Sequence, residues 1–232
     1  IDGEAAYDQS GWAVSLSDDG SIVAIGAPYN DDNGSSSGHV RVYQYSNSAW
    51  TQLGSDIDGE AAGDQSGRAV SLSSDGSIVA IGAIWNDDNG TDAGHVRIYQ
   101  YSNSAWTQLG DDIDGEAADD QSGYSVSLSS DGSIVAIGAF RNDANGDSAG
   151  HVRVYQYSNS AWTQLGSDID GEAAADYSGW AVSLSSDGTI VAIGARLNDG
   201  NGTYAGHVRV FETGGSNSSI GQGDVAAVPA EL

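Results

Sequence analysis

Residues 13–53 read AVSLSDDGSIVAIGAPYNDDNGSSSGHVRVYQYSNSAWTQL, and close copies of this stretch recur along the chain. Each copy is introduced by the string IDGEAA, which begins at Ile1, Ile57, Ile113 and Ile169, so the period is 56 residues. A fixed period of several tens of residues indicates a solenoid, a propeller or another array of repeats. It divides the chain into repeats 1–56, 57–112, 113–168 and 169–213, followed by a tail of unrelated sequence, 214–232.

Within one copy, apolar residues alternate with polar ones, which predicts β-strands rather than helices. The strands predicted in the first copy are A, Ala13–Leu16; B, Ile22–Ile25; C, His39–Tyr45; and D, Trp50–Leu53. Strand B is a continuous apolar run, typical of a strand buried on both faces, and an Asp-Gly turn joins it to strand A. Four short antiparallel strands separated by Gly, Asp and Asn turns make one propeller blade.

The sequence therefore predicts an all-β chain, a β-propeller built from four 56-residue, four-stranded blade repeats. A β-solenoid is the alternative, but its repeats are usually shorter and lack hairpin turns of this kind. Because a propeller closes its ring to remove sheet edges, the four blades form either a closed ring or part of a larger ring. Other residues or a second copy would complete a larger ring, and the tail, 214–232, either completes the last blade or links onward.

The chain is strongly acidic and contains no cysteine. Its 33 Asp and Glu against 7 Lys and Arg give a net charge of −26, which opposes binding to nucleic acid or to anionic membrane surfaces. Without cysteine there is no disulfide framework and no thiolate metal site, and no apolar run is long enough to insert into a bilayer. The acidity favours an extracellular or cell-surface location. Because the sequence starts at Ile1 without an initiator Met, we expect it to be a piece of a longer protein.

The order of short motifs within each copy is constant. Ser-Gly is followed by Val-Ser-Leu-Ser, Asp-Gly, Ile-Val-Ala-Ile-Gly-Ala and Gly-His-Val-Arg, and the element Gly-Ala-Pro is literal at Gly26-Ala27-Pro28. This order resembles the FG-GAP repeat, the blade unit of integrin α-chain propellers and of many bacterial and algal surface proteins. The resemblance spans nearly all of the four repeats, and it specifies the architecture much better than the ligand.

Members of that family often carry a calcium-binding loop, Asp-x-Asp-x-Asp-Gly, between the first two strands of a blade. At that position this chain has only Ser17-Asp18-Asp19-Gly20, or Ser73-Ser74-Asp75-Gly76 in the second copy. Such a loop is too short to supply the roughly six to eight oxygen ligands that Ca²⁺ takes. The family's calcium site is therefore not expected at its usual place.

Differences between the copies concentrate in the B–C and D–A loops, which lie on one face of the propeller because strand direction alternates. Many of the variable side chains are Trp, Tyr or Arg, the types enriched at interface anchors. We therefore predict a ligand face there, for a protein or a glycan. The predicted ligand-binding residues are Trp12, Tyr29, Arg68, Trp85, Tyr124, Arg141, Trp180 and Tyr204.

Carboxylates gather on the same face, and because oxygen-rich clusters suit Ca²⁺, calcium is a predicted cofactor. The predicted metal ligands are Asp8, Asp31, Asp64, Asp87, Asp120, Asp143, Asp176 and Asp199. The alternative is that these side chains form Asx turns and accept backbone N–H bonds in Gly-rich loops.

His39 and Arg41 have an equivalent in every repeat, which predicts a structural network with neighbouring Asp residues rather than one catalytic site. The sequence has no phosphate loop, no HExxH and no acid–base pair that stands apart from the repeats. The predicted function is that of a non-enzymatic extracellular module for binding, calcium-dependent adhesion or assembly, including assembly as a homo-oligomer. A lectin and a glycan-active enzyme are the alternatives. A lectin with one site per blade would keep its aromatic contacts alike in every copy, and here they vary.

Overall fold

The computed structural model describes residues 1–213, which contain strands and loops but no helix, and therefore no helix that could cross a membrane. The first sheet contains β1 (Ala13–Leu16), β2 (Ile22–Ala27), β3 (His39–Ser46), β4 (Ala49–Gln52) and β5 (Ile57–Asp58). The second contains β6 (Ser66–Leu72), β7 (Ile78–Ala83), β8 (His95–Ser102), β9 (Ala105–Gln108) and β10 (Ile113–Asp114). The third contains β11 (Ser125–Leu128), β12 (Ile134–Ala139), β13 (His151–Ser158), β14 (Ala161–Gln164) and β15 (Ile169–Asp170). The fourth contains β16 (Ser178–Leu184), β17 (Ile190–Ala195) and β18 (His207–Glu212).

Each sheet is an antiparallel blade, as predicted from the alternating pattern, and strands A to D correspond to β1 to β4 within two residues. The outer edge of the blade differs from the expectation. It is divided into β4 and the short β5, which pair with opposite halves of β3. Because β5 is the opening of the next IDGEAA string, the second, third and fourth repeats each supply part of the outer edge of the blade before them. In the fourth blade, the predicted contribution of the tail lies outside the described residues.

Two turns fold each blade, and both follow from their residues. In the A–B turn Gly20 has a φ of 68°, and the Asp19 carboxylate accepts hydrogen bonds from the Ser17 hydroxyl and the Ser21 N–H, both at 2.8 Å. In the C–D turn Asn47 and Ser48 have positive φ values of 51° and 65°, which is the pattern of a type I′ hairpin turn. That turn type matches the right-handed twist of the strands it joins.

The blades stack in chain order, and each interface buries an apolar cluster. Between the first two blades, Ile22 and Val42 pack in one cluster with Leu72 of β6. Equivalent clusters join the second blade to the third and the third to the fourth. Trp106 reaches back across the interface and donates its indole N–H to the carbonyl of Leu53 at 2.8 Å. The repeated tryptophan therefore contributes to the packing between blades, and Trp162 makes the same bond to the carbonyl of Leu109.

Neighbouring blades also approach each other through backbone. Gly82 of β7 faces the carbonyl group of Gly123 in the next blade, and a Cβ atom at position 82 would overlap that oxygen. The same close approach pairs Gly26 with Gly67 and Gly138 with Gly179. The glycine of the Ile-Gly-Ala motif is therefore required by the interface between blades rather than by its own strand.

The four described blades form an open arc, because three interfaces are buried and the two end faces are not. On the first blade Val14 and Leu16 are 65% and 58% exposed, although their equivalents in β6, Val70 and Leu72, are packed in the core. On the fourth blade Val208 is 67% exposed. No apolar cluster within residues 1–213 joins the fourth blade to the first. Of the two predicted arrangements, the described residues therefore correspond to part of a ring.

The equivalent glycines predict a contrast in stability. Gly82→Ala should lower the free energy of unfolding by about 1–3 kcal/mol, the usual range for overpacking, because the new methyl group meets a backbone carbonyl. Gly194→Ala changes the same motif in the fourth blade, where the nearest atom of the same chain would lie 3.7 Å away, and in dilute, monomeric protein it should leave the midpoint of urea unfolding nearly unchanged. Equal losses in the two variants would contradict this account of the interface.

Candidate functional site

The B–C and D–A loops meet at one end of each blade, as the alternation of strands requires. The buried Asp8 side chain joins them, because its carboxylate accepts hydrogen bonds from the Ala5 N–H at 3.1 Å and from the Asn30 side chain at 3.2 Å. The Tyr29 N–H also donates to the backbone carbonyl of Asp8. The hydrogen bond between the Asn side chain and the Asp carboxylate occurs in every repeat, and it holds the variable positions of the two loops side by side.

The variable side chains at this end stack on one another across all four blades. The guanidinium group of Arg68 lies between two rings, 4.4 Å from the ring centre of Trp12 and 4.9 Å from that of Tyr124. Tyr124 in turn contacts Trp180, with ring centres 4.6 Å apart. Arg196 covers the far side of the stack, 3.6 Å from the Trp180 ring. We call this set the aromatic ladder: Tyr29, Trp12, Arg68, Tyr124, Trp180 and Arg196.

Five of the eight residues predicted as ligand contacts belong to the ladder, namely Trp12, Tyr29, Arg68, Tyr124 and Trp180. The other three lie beside it at the same end of the blades. Arg141 is exposed, 5.7 Å from the ring of its neighbour Phe140, and Tyr204 is 66% exposed at the edge of its loop. Trp85 is half-buried and makes no aromatic or cation–π contact within residues 1–213. That any of the eight contacts a ligand stays a prediction.

Three ladder-associated residues were not among the predicted contacts: Phe140, Tyr177 and Arg196. Phe140 is buried against Tyr124, with ring centres 4.4 Å apart, and Tyr177 stacks nearly parallel to Trp180. A signal for Tyr177 was present in the sequence, because the other three repeats have Gln at this position. An aromatic residue that replaces Gln in one repeat alone therefore indicates a position that contributes to the aromatic ladder.

The aspartates predicted as metal ligands fall into two groups. Asp8 and its equivalents are buried, and their carboxylates already accept backbone and Asn N–H bonds. Asp31 and its equivalents are exposed, and one carboxylate oxygen accepts the N–H of residue 36, 92, 148 or 204 at 2.6–2.8 Å. The structure does not place these two groups in one cluster of ligand atoms within residues 1–213. That they bind calcium stays a prediction.

A different set of side chains does come together, once in each of the first three repeats. Glu4, Asp32, His39 and Asp56 offer ligand atoms that all lie within 4.8 Å of one another, and so do Glu60, Asp88, His95 and Asp112. In the third repeat the set is Glu116, His151 and Asp168, because Ala144 stands at the fourth position. We call these sets the His–carboxylate groups.

Neighbouring side chains orient the carboxylates of each group. In the first repeat the Glu4 Oε1 atom lies 3.3 Å from Arg41, and the Gln52 side chain donates to Asp56 Oδ1. The second oxygen of each carboxylate faces His39 Nδ1, at 3.8 Å in both cases. The network predicted for His and Arg with neighbouring Asp residues thus includes a glutamate, and Arg41 also donates to the backbone carbonyl of Asp2.

The sequence of the repeated blade matches a known family of repeats. The sequence profile of the FG-GAP repeat matches residues 2–43, 56–99 and 168–211, more than half of the chain. The chain belongs to the FG-GAP repeat family. No curated protein matches the sequence.

Three solved structures that resemble this FG-GAP chain confirm the propeller fold and go no further, because each of the three is below 15% identical to it. They include hydrazine synthase of Kuenenia stuttgartiensis (TM-score 0.57, 14% identity) and Sqt1 of Saccharomyces cerevisiae (0.54, 12%). A proposed 6-phosphogluconolactonase from Bacteroides uniformis has a TM-score of 0.50 and 12% identity. The similarity covers 91%, 90% and 91% of this chain, respectively, and 49%, 46% and 70% of the other chains. The chain thus spans about half the length of two of these three structures.

The A–B turn of this FG-GAP chain does not fit the calcium ion that the family often holds there. Only one carboxylate, Asp19, is fixed in the turn, and its oxygens accept hydrogen bonds from Ser17 and Ser21. These bonds lower the pKa of Asp19, so the group is an ionised turn-former. One carboxylate cannot provide the oxygen shell of Ca²⁺, which agrees with the expectation from the sequence.

Burial controls the protonation of the repeated histidines. Burial, reinforced by the neighbouring Arg97 and Arg153 cations, lowers the pKa of His95 and of His151 from 6.5 to about 4. Burial also raises the pKa of Glu60 and Glu116, although the same arginines oppose this effect. Both imidazole rings are therefore neutral at neutral pH, with one lone pair available in each ring.

These shifts predict opposing pH effects on stability. Between pH 6.5 and about 4 the unfolded chain binds protons at His95 and His151 that the folded chain does not bind, so the contribution of these two rings to the free energy of unfolding falls as the pH falls through this range. The raised pKa values of Glu60 and Glu116 contribute in the opposite direction. The imidazole NMR signals of the folded protein should show no protonation of these two rings above about pH 5. Titration of both rings near pH 6.5 would contradict the prediction.

Proposed function

We propose that this chain is a non-enzymatic, extracellular or cell-surface propeller module that binds a protein on the face formed by the B–C and D–A loops. The observation that supports the proposal is the aromatic ladder, a continuous stack of variable Trp, Tyr and Arg side chains on an otherwise constant scaffold. Membership of the FG-GAP repeat family supports a binding module and a location outside the cell.

The packing of the ladder suits recognition. Trp, Tyr and Arg are the side chains that most often dominate the binding energy of protein interfaces. Because Arg68 is held between Trp12 and Tyr124 before any ligand arrives, little side-chain freedom is lost on binding. Trp12 is 43% exposed, so the stack has an accessible end.

The ladder favours a protein ligand over a glycan. One position of the 56-residue repeat contributes a side chain to the ladder in every blade, and its occupants are Trp12, Arg68, Tyr124 and Trp180. Three different residue types at these four equivalent positions form one composite surface, whereas a lectin with a site in each blade would repeat the same contact residue. The net charge of −26 would attract a basic partner over long distances.

A non-enzymatic role agrees with how the polar groups are distributed. The buried histidines and their carboxylate neighbours recur with the 56-residue period, as parts of a framework do. The ladder consists of Trp, Tyr and Arg side chains and contains no histidine or carboxylate, the groups that most often act as general acids and bases. FG-GAP propellers are generally binding modules.

The ligand face can be tested with two aromatic substitutions of similar exposure at opposite ends of the blades. Trp12→Ala should weaken binding at least about tenfold, because it removes a hot-spot side chain and leaves Arg68 stacked on Tyr124 alone. Tyr45→Ala, at the C–D end and 49% exposed, is the matched control and should bind like wild type. Proteins retained by the chain from a cell-surface extract are identified, and their affinities are measured by biolayer interferometry. Unchanged affinity in Trp12→Ala, or equal loss in Tyr45→Ala, would exclude this face.

Calcium dependence is a separate part of the proposal and has its own arm in the same assay. Asp8 and its equivalents are buried and already hydrogen-bonded. Any bound calcium ion would therefore have to be held by the exposed aspartates, one in each repeat: Asp31, Asp87, Asp143 and Asp199. Chelation with EGTA should then weaken capture of the partner, and Mg²⁺ should not restore it. Capture that is equal with and without EGTA would remove calcium from the mechanism and leave the ligand face untouched.

A further inference from the structure

The His–carboxylate groups contain a buried ring nitrogen with no hydrogen-bond partner. His39 and His95 are 1% and 0% exposed, and the Nδ1 atom of each has no partner among the described residues. The nearest oxygens belong to Glu4 and Asp56 in the first repeat, both at 3.8 Å. A direct hydrogen bond is shorter than this, so the carboxylates face the nitrogen without bonding to it.

That spacing fits donors that share a metal ion. Two ligands bound at about 2.1 Å with a tetrahedral angle lie about 3.4 Å apart, so small side-chain adjustments would bring the observed atoms into coordination. Arg41 and Gln52 hold the outer oxygens of Glu4 and Asp56 and turn the inner ones toward His39. Metal ligands are commonly oriented by such secondary contacts.

We propose that the groups in the first two repeats each bind a divalent transition-metal ion, of which Zn²⁺ is the best match. One imidazole nitrogen and three carboxylate oxygens supply the four ligands that Zn²⁺ prefers. Ca²⁺ takes about six to eight oxygens and does not favour imidazole. These sites are distinct from Asp8 and Asp31 and from the ladder, and they do not depend on the proposed protein-binding function.

The third repeat is a natural comparison within the same chain. His151 and Glu116 are arranged as in the other repeats, with Nδ1 and Oε2 3.7 Å apart, and Asp168 lies in the same cluster although without the 3.8 Å approach to the ring that Asp56 and Asp112 make. Ala144 stands where the second repeat has Asp88. The local backbone is the same, because the N–H of residue 88 or 144 donates to the preceding Asn side chain at 3.0 or 2.9 Å. The third site therefore lacks one ligand without any change of fold, and it should bind Zn²⁺ more weakly.

Titration calorimetry of the EDTA-treated, dialysed full chain with zinc chloride tests the proposal. We expect at least two tight equivalents of Zn²⁺, and no comparable heat with Ca²⁺. The double variant Asp32→Asn and Asp88→Asn should weaken those sites at least tenfold, and Ala144→Asp should add a third tight site. Both changes are on exposed loops, so folding is expected to be retained and is checked by the thermal midpoint in EDTA.

A matched control changes the adjacent carboxylates by the same charge. The double variant Asp31→Asn and Asp87→Asn leaves the His–carboxylate groups intact and should bind Zn²⁺ as wild type does. Substitution with Co²⁺ should give the visible absorption of a four-coordinate site, which a loosely held surface ion does not give. The proposal is overturned if Zn²⁺ does not bind, if both double variants lose affinity equally, or if Ca²⁺ binds as tightly.

The open end faces carry a second, independent inference. The first blade exposes Val14 and Leu16, whose equivalents elsewhere are packed against the preceding blade. The fourth blade exposes Val208 and Val210. In each of the other three blades the equivalent pair, such as Val40 and Val42 in the first, is buried against the following blade. The two end faces are thus the two halves of one more copy of the interface that already occurs three times.

We infer that the fourth blade of one copy packs on the first blade of a second copy, and the reverse, so that two chains form an eight-bladed ring. Eight is within the range of propeller rings, and a head-to-tail contact of this kind closes into a ring when the rotation per blade permits it. Gly194 would face Gly11 of the partner, as Gly26 faces Gly67 within one chain.

Light scattering coupled to size exclusion measures the assembly directly. Wild type should have twice the 23.7 kDa mass of one chain, and Gly194→Ala, which meets no atom within one copy, should fold normally but be monomeric. Val14→Asp and Val208→Asp should each be monomeric alone. Mixed in equal amounts, they should form a dimer through the one interface that keeps both natural faces.

Three results would overturn the ring of two copies. The first is a wild-type chain that stays monomeric at a concentration of tens of micromolar, which would mean that something other than a second copy covers the end face. The second is a Gly194→Ala variant that still dimerises. The third is an open-ended series of larger species, which would show that the contacts do not close at eight blades.

Discussion

The close contact between a glycine of one blade and a backbone carbonyl of the next is the constraint on which the rest of the fold depends. With Gly82 against Gly123, the blades are near enough for β7 and β8 to bury their apolar residues against β11 and β12. A side chain at this position would hold the sheets apart and leave gaps in clusters that are otherwise fully buried. In the two middle blades strand B is covered on both faces by this stacking, which is why an uninterrupted apolar run suits it.

The same stacking determines where variation is tolerated. Residues at the interfaces and turns are constrained in every copy, whereas the entry to strand A and the B–C loop point away from the packed faces. The loops at this end also contain non-glycine residues with positive φ, including Gln9, Gln65, Gln121 and Tyr177 at one repeated position. Because all four copies share this backbone, changing one side chain alters the ladder without altering the loop that carries it.

Much of the fold could be predicted from the sequence, and the reason is its repetition. The period located the blades, and alternation located the strands to within two residues, but the split outer edge was not predicted because Ile57-Asp58 is too short to give a pattern of its own. The loop face was predicted as a set of separate aromatic anchors, and no pattern in one dimension indicates that Arg68 lies between Trp12 and Tyr124. The His–carboxylate groups were missed for a similar reason. Glu4 and Asp56 stand at opposite ends of one repeat, and only the closing of the blade brings them to His39.

The divided outer edge has a consequence for how such a chain can change its length. Since β5 comes from the repeat that follows, the boundary of a sequence unit lies inside a sheet rather than between sheets. Recombination between two copies of IDGEAA would therefore add or remove a whole 56-residue unit while every blade kept a correctly paired edge. Copy number could drift between generations without an intermediate that exposes a broken sheet, and the near identity of the copies would itself promote that exchange.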